Sequence, residues 1–524
     1  MIGDWTSILP PLVAIIMVLV TKRVLLSLGT GIVLAALLIG SFSPVESAIV
    51  LWNGLIASFW DGESWNTGNI FIMLFILMLG VITAFVSLSG GSRAFANWAS
   101  RRIKTKRGAK ILTVFLGILI FVDDYFNSLA VGQIARPVSD EQKVSRAQLA
   151  YFIDSTSAPI CVVSPISSWG AYLIGQLAII FGATAAITYS PLSAFVLMAP
   201  MNFYVVATLT LVFFFAFSDT AIFSMRRHEE LAEQTGQLFD PEKDIPGQLK
   251  EDFPEHEYGR VRDLVLPIVT LIIVTFGMMF VTGIQASGSY DIWAIFEETN
   301  VPASLVTGGL AGVIVAILLY LPQLKTNDQA TVTWMRKATV SGLQSMMPAV
   351  LILFLAWALT DLIATLKTGE YLAGVVEQSN ISPLFLPVMM FVLGGVIAFS
   401  TGTSWGSFGI LLPIAAEIMI ATDINLLLPA LAAVLAGAVF GDHCSPISDT
   451  TILSATGAGC NHIDHVSTQL PYALLAAVIS LIGYVTLGLT GSVWVGLGAV
   501  IVALIVTMLT ILQWTKRCST RTAS

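Results

Sequence analysis

The chain carries repeated apolar runs as long as a bilayer is thick: Val24–Phe42, Ile70–Ser89, Leu192–Phe217, Leu264–Val281 and Val493–Gln513. A helix rises 1.5 Å per residue, so about 20 such residues cross a hydrocarbon core of about 30 Å. Composition agrees: of 524 residues 56% are hydrophobic and 11% charged, against about 25% charged in a soluble chain. The expected fold class is an all-α polytopic membrane protein. Ile8–Val20 is apolar, but Lys22 and Arg23 follow it instead of preceding it, so it reads as a span and not as a cleaved signal. Cys161, Cys444, Cys460 and Cys518 show no paired metal spacing and are read as reduced.

Spans are predicted at about 8–20, 24–42, 70–89, 146–183, 191–217, 264–281, 304–320, 346–366, 425–457, 467–490 and 493–513. Two further apolar stretches, 108–138 and 383–420, are interrupted at their centres by polar residues. Each is read as a re-entrant hairpin, because an arm such as Gly108–Val122 rises only about 22 Å and stops short of crossing. With an outer N-terminus and an inner C-terminus over about eleven spans, every Lys and Arg except Lys367 falls on the cytoplasmic side. Outer segments such as 43–69 and 282–303 are free of both.

The layout divides into two five-span halves of opposite orientation, each with a hairpin and a broken helix, plus a final helix. The expected boundaries are 1–217 for the first half, with hairpin 108–138 and broken helix 146–183, and 218–263 for an acidic cytoplasmic linker. The second half is 264–490, with hairpin 383–420 and broken helix 425–457, and 491–524 is the last helix and tail. Asn127-Ser128…Pro137 aligns without gaps on Thr403-Ser404…Pro413, and Ser164-Pro165-Ile166-Ser167 matches Ser445-Pro446-Ile447-Ser448. Ordered matches at equivalent positions indicate an inverted repeat. Such repeats place hairpin tips and unwound helices at the midplane, where a desolvated ion needs carbonyls, amides and half-helix ends.

The breaks are rich in hard oxygen ligands of the kind a small cation prefers. The first half brings Asp123, Asp124, Asn127 and Ser128, then Asp154, Ser155, Thr156 and Ser157. The second brings Thr401, Thr403 and Ser404, then Asp442, His443, Ser445, Ser448 and Asp449. Intramembrane carboxylates are costly and read as functional. Protons and a cation compete for such groups, and Asp123, Asp124, Asp154 and Asp442 are the expected competitors. A Na⁺ site is expected at Asp124, Asn127, Asp154, Ser157, Thr403 and Ser404, weighted toward the first half.

Several residues admit a plainer role. Asp154 and Asp449 are open between helix capping and cation binding. Asp123 and Asp124 are adjacent and cannot share one helical face, so one is open to a structural role. Asp361 is placed near an outer helix end or in a packing network, and Glu417 is ambiguous. His443 is a proton carrier or a polar partner of Asp442. Trp169 and Trp405 are packing or substrate contacts, and His462 and His465, beside Asp464, are placed at the surface of a cytoplasmic helix end. Gly402-Thr-Ser404-Trp-Gly406 matches a nucleophile elbow, but that motif needs a strand–turn–helix setting and a triad, so a hydrolase is disfavoured and no enzyme activity is expected.

At Phe121-Val-Asp-Asp-Tyr-Phe-Asn-Ser-Leu-Ala-Val-Gly, Asp154-Ser-Thr-Ser-Ala-Pro and Gly441-Asp-His-Cys-Ser-Pro-Ile-Ser-Asp-Thr-Thr the chain resembles the NhaC-type sodium/proton antiporters of the ion transporter superfamily. The similar organisation extends over most of residues 70–490. The resemblance implies a carrier of the bacterial inner membrane, a homodimer, and elevator motion of a domain holding both hairpins. It implies no cofactor and no nucleic-acid partner: the partners are the bilayer, Na⁺ and H⁺. Relatives that exchange organic acids keep a second reading open, coupled transport of a small carboxylate or amino acid.

Overall fold

The computed structural model of the chain describes residues 2–522 apart from 22, 61, 122, 166, 183–189, 244, 246–258, 327–330, 369, 372–373 and 375–381. Part of the linker and the side chains of Glu417 and Cys518 therefore lie outside the described residues. Among the described residues every regular element is helical, and the one β pairing is an isolated bridge between Trp60 and Trp65. Among the described residues, eight helices of at least 18 residues are apolar enough to cross a membrane, accompanied by shorter apolar helices.

The first half opens with α1 (Leu9–Thr21), α2 (Val24–Ile39), α3 (Pro44–Ala57), α4 (Thr67–Leu88) and α5 (Gly91–Ser100). The outer segment 43–69, to which no span is assigned from the sequence, contains α3. Ser43 caps that helix through Glu46 N, and Pro44 stands at its first position, where a missing N–H costs nothing. Next come α6 (Lys106–Leu119) and α7 (Asp124–Glu141), which pack on one another. The Asn127 amide donates to Gly117 O at 2.6 Å and to Ile120 O at 2.7 Å. Ten residues of continuous helix would separate these positions by about 15 Å, so the chain turns back and the pair is a helical hairpin.

The half continues with α8 (Arg146–Cys161), α9 (Ser168–Gly182), α10 (Pro191–Met198) and α11 (Phe203–Ser218), then α12 (Phe223–Thr235) in the linker. The expected single span 191–217 is in fact two helices. A 3₁₀ turn over Ala199–Met201 holds Pro200, and Asn202 starts α11 by accepting from Val205 N at 3.1 Å. Proline removes a ladder donor and asparagine supplies a cap, which together end one helix and begin another.

The second half runs through α13 (Val261–Ser287), α14 (Ile292–Glu297), α15 (Val301–Tyr320), α16 (Gln323–Thr326) and α17 (Val332–Thr365). It continues with α18 (Leu386–Thr401), α19 (Ser404–Thr422), α20 (Leu427–Cys444), α21 (Asp449–Ala458), α22 (His462–Thr490) and α23 (Val493–Thr522). α17 begins well before the expected 346, capped by Thr331 through Trp334 N. Asp361 is exposed one turn before its C-terminal end.

Two groups of helices form. In one, α1 packs on α2, α13 on α15, α2 on α17, α15 on α4, and α4 crosses α17. That crossing is made by backbone: a Cβ on Gly80 would lie 2.2 Å from Gly342 O, and one on Gly342 would lie 2.6 Å from Gly80 O. The other group holds both hairpins, the interrupted helices, α11 and α22. Here α18 and α20 touch so closely that a Cβ on Gly441 would lie 2.1 Å from Gly395 O. Backbone cannot step aside as a side chain can, so Gly441→Ala should cost about 3 kcal/mol. The melting temperature in detergent should fall clearly for this variant, while Gly277→Ala on α13, with nothing within 4 Å, should leave it close to wild type. Equal melting of the two would show that the seam yields.

Candidate functional site

Each hairpin tip and each helix break is built by local capping. Asp123 caps α7, its Oδ1 accepting from Phe126 N at 3.0 Å, which leaves Asp124 in the first turn. Both adjacent acids are buried, but only Asp123 is the cap. Among the described residues Asp124 Oδ2 has no hydrogen-bond partner, and the indole of Trp169 lies beside the carboxylate. In the second hairpin Gly402 ends α18 with φ of 72°, a value that favours glycine, and Thr403 caps α19 through Trp405 N at 3.3 Å. Ser404 therefore begins a helix after a helix, not after a strand, and the nucleophile-elbow match lacks its setting. Thr401 Oγ1 donates to Ile397 O at 3.0 Å, inside its own helix.

The helix breaks are held in the same way. Ser167 donates to Cys161 O at 2.6 Å and accepts from Gly170 N at 2.9 Å, joining the end of α8 to the start of α9. Ser445 Oγ, after α20, donates to Phe399 O at 2.8 Å. Ser448 caps α21 through Thr451 N at 3.3 Å. Asp449 is therefore not the cap. It follows the cap, accepts from Thr450 N at 2.8 Å, and receives the Tyr125 hydroxyl from the first hairpin.

Four carboxylates converge. Asp442 Oδ2 accepts from Ser404 Oγ at 2.8 Å, while its buried Oδ1 has no hydrogen-bond partner among the described residues. Asp449 lies within electrostatic reach of both Asp124 and Asp442, and Asp442 within reach of Asp154. A chain of hydroxyls links the first hairpin to Asp154. Ser157 Oγ donates to Asp124 O at 2.7 Å, Ser128 Oγ donates to Ser157 Oγ at 3.1 Å, Ser128 meets Ser454 at 3.0 Å, and Ser454 donates to Asp154 Oδ1 at 3.2 Å. The expected six-residue Na⁺ set is thereby divided. Asp124, Ser157 and Asp154 belong to this chain, Ser404 belongs to Asp442, and Thr403 is a cap, while Asn127 gives its Nδ2 to backbone carbonyls and keeps a buried Oδ1 with no hydrogen-bond partner among the described residues. Ser155 and Thr156 are buried within α8, where Thr156 donates to Phe152 O at 2.7 Å.

Asp154 is in the interior of α8 and caps nothing. Fully buried, it accepts from Gln469 Nε2 at 2.5 Å, Thr451 Oγ1 at 3.3 Å and Ser454 Oγ, and meets His465 Nε2 at 3.1 Å. His443 Nε2 is 3.9 Å away, and its Nδ1 meets Tyr204 Oη at 3.0 Å. His443 is thus turned toward Asp154 and Tyr204. The surface placement of the two later histidines is incorrect: His465 is 0% exposed, and His462 is buried with Nε2 2.8 Å from Pro446 O. Asp464, between them, is the residue that faces outward, pairing with Lys243 of the linker at 2.7 Å. Sequence reasoning missed His465, Gln469, Thr451 and Ser454. The available signal was spacing, since His465 and Gln469 are one helical turn apart on α22 and Thr451 and Ser454 nearly one turn apart on α21.

A cavity of about 460 Å³ opens onto the first hairpin tip. Asp123, Asp124 and Tyr125 meet it at the tip, Trp405 and Tyr172 form a wall, and Ile72, Phe296, Thr299, Val301, Pro302 and Leu305 line the rest. The ring of Trp405 lies 4.9 Å from that of Tyr172 and 5.3 Å from that of Trp169, which is fully buried behind it. Far from this cavity, the linker is tied to the hairpin base: buried Lys110 pairs with Asp219 at 2.6 Å and with Glu229 at 3.1 Å, and Lys106 pairs with Glu229 at 2.9 Å.

A family model described as the Na+/H+ antiporter family matches residues 160–489. A Haemophilus influenzae protein described as "Uncharacterized protein" is 47% identical over 505 residues, 95% of this chain and 94% of that one. A second Haemophilus influenzae protein, "Uncharacterized Na(+)/H(+) antiporter", is 37% identical over 145 residues, 27% of this chain and 30% of its own. The "Malate-2H(+)/Na(+)-lactate antiporter" of Bacillus subtilis is 31% identical over 162 residues, 29% of this chain and 32% of its own.

Proposed function

The chain belongs to the Na+/H+ antiporter family, and from that premise we propose that this transmembrane protein exchanges Na⁺ for H⁺ at the carboxylates converging on Asp124, Asp449 and Asp442. One observation carries the reading: among the described residues Asp124 Oδ2 and Asp442 Oδ1 are buried without a hydrogen-bond partner, and both carboxylates lie within electrostatic reach of Asp449. Buried charge without a partner is costly, and three negative groups in one place repel. Such a cluster is stable when protons or a cation occupy it, so the two compete for the same oxygens. Asp154, already satisfied by four groups, is assigned a positioning role: it holds α21 and α22 against α8 and orients His465 and His443 behind the cation site.

Two inverted halves are supported by an exchange in the packing. Pair α1 with α13, α2 with α15, α4 with α17, α6 with α18, α7 with α19, α8 with α20, α9 with α21 and α11 with α22. Then α1–α2 answers α13–α15, α2–α17 answers α15–α4, α6–α8 answers α18–α20, α7–α21 answers α19–α9, and α8–α22 answers α20–α11. The crossings α4–α17, α8–α20 and α11–α22 answer themselves, as contacts across a pseudo-twofold axis must. We assign the group around α4 and α17 to a scaffold and the hairpin group to a body that moves in elevator fashion, in a bacterial inner membrane. The cavity is bounded by Ile72 and by residues 296–305, which the N-out topology puts outside, so the conformation is read as outward-open. The volume of that cavity, far larger than a bare cation needs, favours a second reading in which an organic solute shares the site.

Purified protein in proteoliposomes with a trapped pH dye tests the main reading. Na⁺ added on one side should move protons to that side, and an osmotically matched addition of sucrose should not. Absence of a Na⁺ response from mildly acidic to alkaline pH, in vesicles where an organic solute does move protons, would replace the first reading by the second.

A further inference from the structure

We infer that the cavity at Asp124 is a binding site for an organic ammonium ion, not only a water-filled path for Na⁺. The inference rests on the reading that this cavity leads to the transport site, and it names the chemistry of a ligand the site accepts. Ligand sites of about 300–1,000 Å³ are mostly apolar and aromatic, with a few convergent polar groups. The cavity of about 460 Å³ fits that description: Trp405, Tyr172, Tyr125 and Phe296 supply rings, Ile72, Val301, Pro302 and Leu305 supply aliphatic wall, and Asp123 and Asp124 supply charge at the hairpin tip.

The sign of the ligand follows from what lines the space. No Lys, Arg or His lines it among the described residues, so an organic carboxylate would meet two acids and no cation. Asp123 and Asp124 both border the cavity at the hairpin tip, so its charged end is acidic and suits an ammonium group. The face of an aromatic ring attracts an organic cation, most strongly for tryptophan. Trp405 is braced by Trp169 behind it and Tyr172 beside it, with ring centroids 5.3 Å and 4.9 Å away, so its face is held in place. A strongly hydrated inorganic ion gains little from four rings and an aliphatic wall. An alkylammonium uses both ends of the site: its –NH₃⁺ takes the acidic hairpin tip and its chain displaces water from the rings.

Radiolabelled n-butylammonium, bound to the purified full chain in detergent, tests this directly. Saturable binding is expected, displaced by Na⁺, and not displaced by n-butanol or butyrate at the same concentration. Trp405→Ala should weaken it at least ~5-fold, as loss of a partly desolvated cation–π contact implies, and Trp405→Phe should recover part of the loss. Tyr172→Leu should weaken it too, which guards against misfolding of a single variant. Displacement by n-butanol as strong as by unlabelled butylammonium would overturn the inference, as would no saturable binding in protein that still releases protons on Na⁺ addition. Loss of both signals in folded wild-type protein would remove the transport-site reading as well.

Discussion

Asp124→Asn should reduce Na⁺-evoked proton movement at least ~100-fold, equivalent to about 3 kcal/mol, the size expected when a buried charge loses its partner. The amide keeps the shape of the carboxylate but carries neither the charge that binds Na⁺ nor the proton that exchanges for it. The burial of Asp124 and the unpartnered Oδ2 are what make this position sensitive. Asp123→Asn should be far milder, because asparagine also caps helices and Asp123 accepts from Phe126 N. Proteoliposome assays of the two variants side by side separate the roles. Equal loss in both would mean that the cap itself carries the chemistry, and unchanged transport in Asp124→Asn would remove that residue from the site.

Asp154→Ala should destabilise the chain by about 3–5 kcal/mol, the range for breaking a buried charged network by removing one partner. The truncation strands Gln469, His465, Thr451 and Ser454, all within hydrogen-bond reach of one carboxylate. Those groups come from α21 and α22, so the loss should appear as cooperative loosening of both helices against α8. Thermal unfolding in detergent measures it, and hydrogen exchange over residues 449–470 should rise selectively. Asp154→Asn, which keeps acceptors for two of the donors, should fold better. Once corrected for folded protein, it should bind Na⁺ within about 3-fold of wild type, a difference of under 1 kcal/mol. A large affinity loss in well-folded Asp154→Asn would move this residue from positioning into the cation site.

The interruptions were legible because polarity, proline and glycine stand out against an apolar background. The break after Leu119, the one between Cys161 and Ser168, the turn at Gly402 and the one at Ser445–Ser448 all fall inside the segments singled out by composition. Within those segments, which acid caps and which acid is exposed to the site was not legible. Asp123 and Asp124 differ only in where the first helical residue falls, and Ser448 displaces Asp449 as the cap by one position. The partners of Asp154 were hidden for a different reason. His465 and Gln469 lie some 300 residues further along the chain, in a polar turn that opens an apolar helix, and such a turn reads as a surface until α8 is packed against it. The division of 191–217 was present as Pro200 and Asn202, but a continuous apolar background outweighed two local signals.

The central claim is that Na⁺ and H⁺ compete for one carboxylate cluster, and calorimetric titration of Na⁺ into the purified protein tests it most directly. Measured in two buffers of different ionisation heat, the difference in apparent enthalpy counts the protons released on binding. The account predicts release of about one proton per Na⁺ bound, with apparent affinity falling up to about tenfold per pH unit toward acid, as linkage requires for a single shared site. Both effects should vanish in Asp124→Asn. Na⁺ binding with the same enthalpy in both buffers and the same affinity at every pH would contradict it.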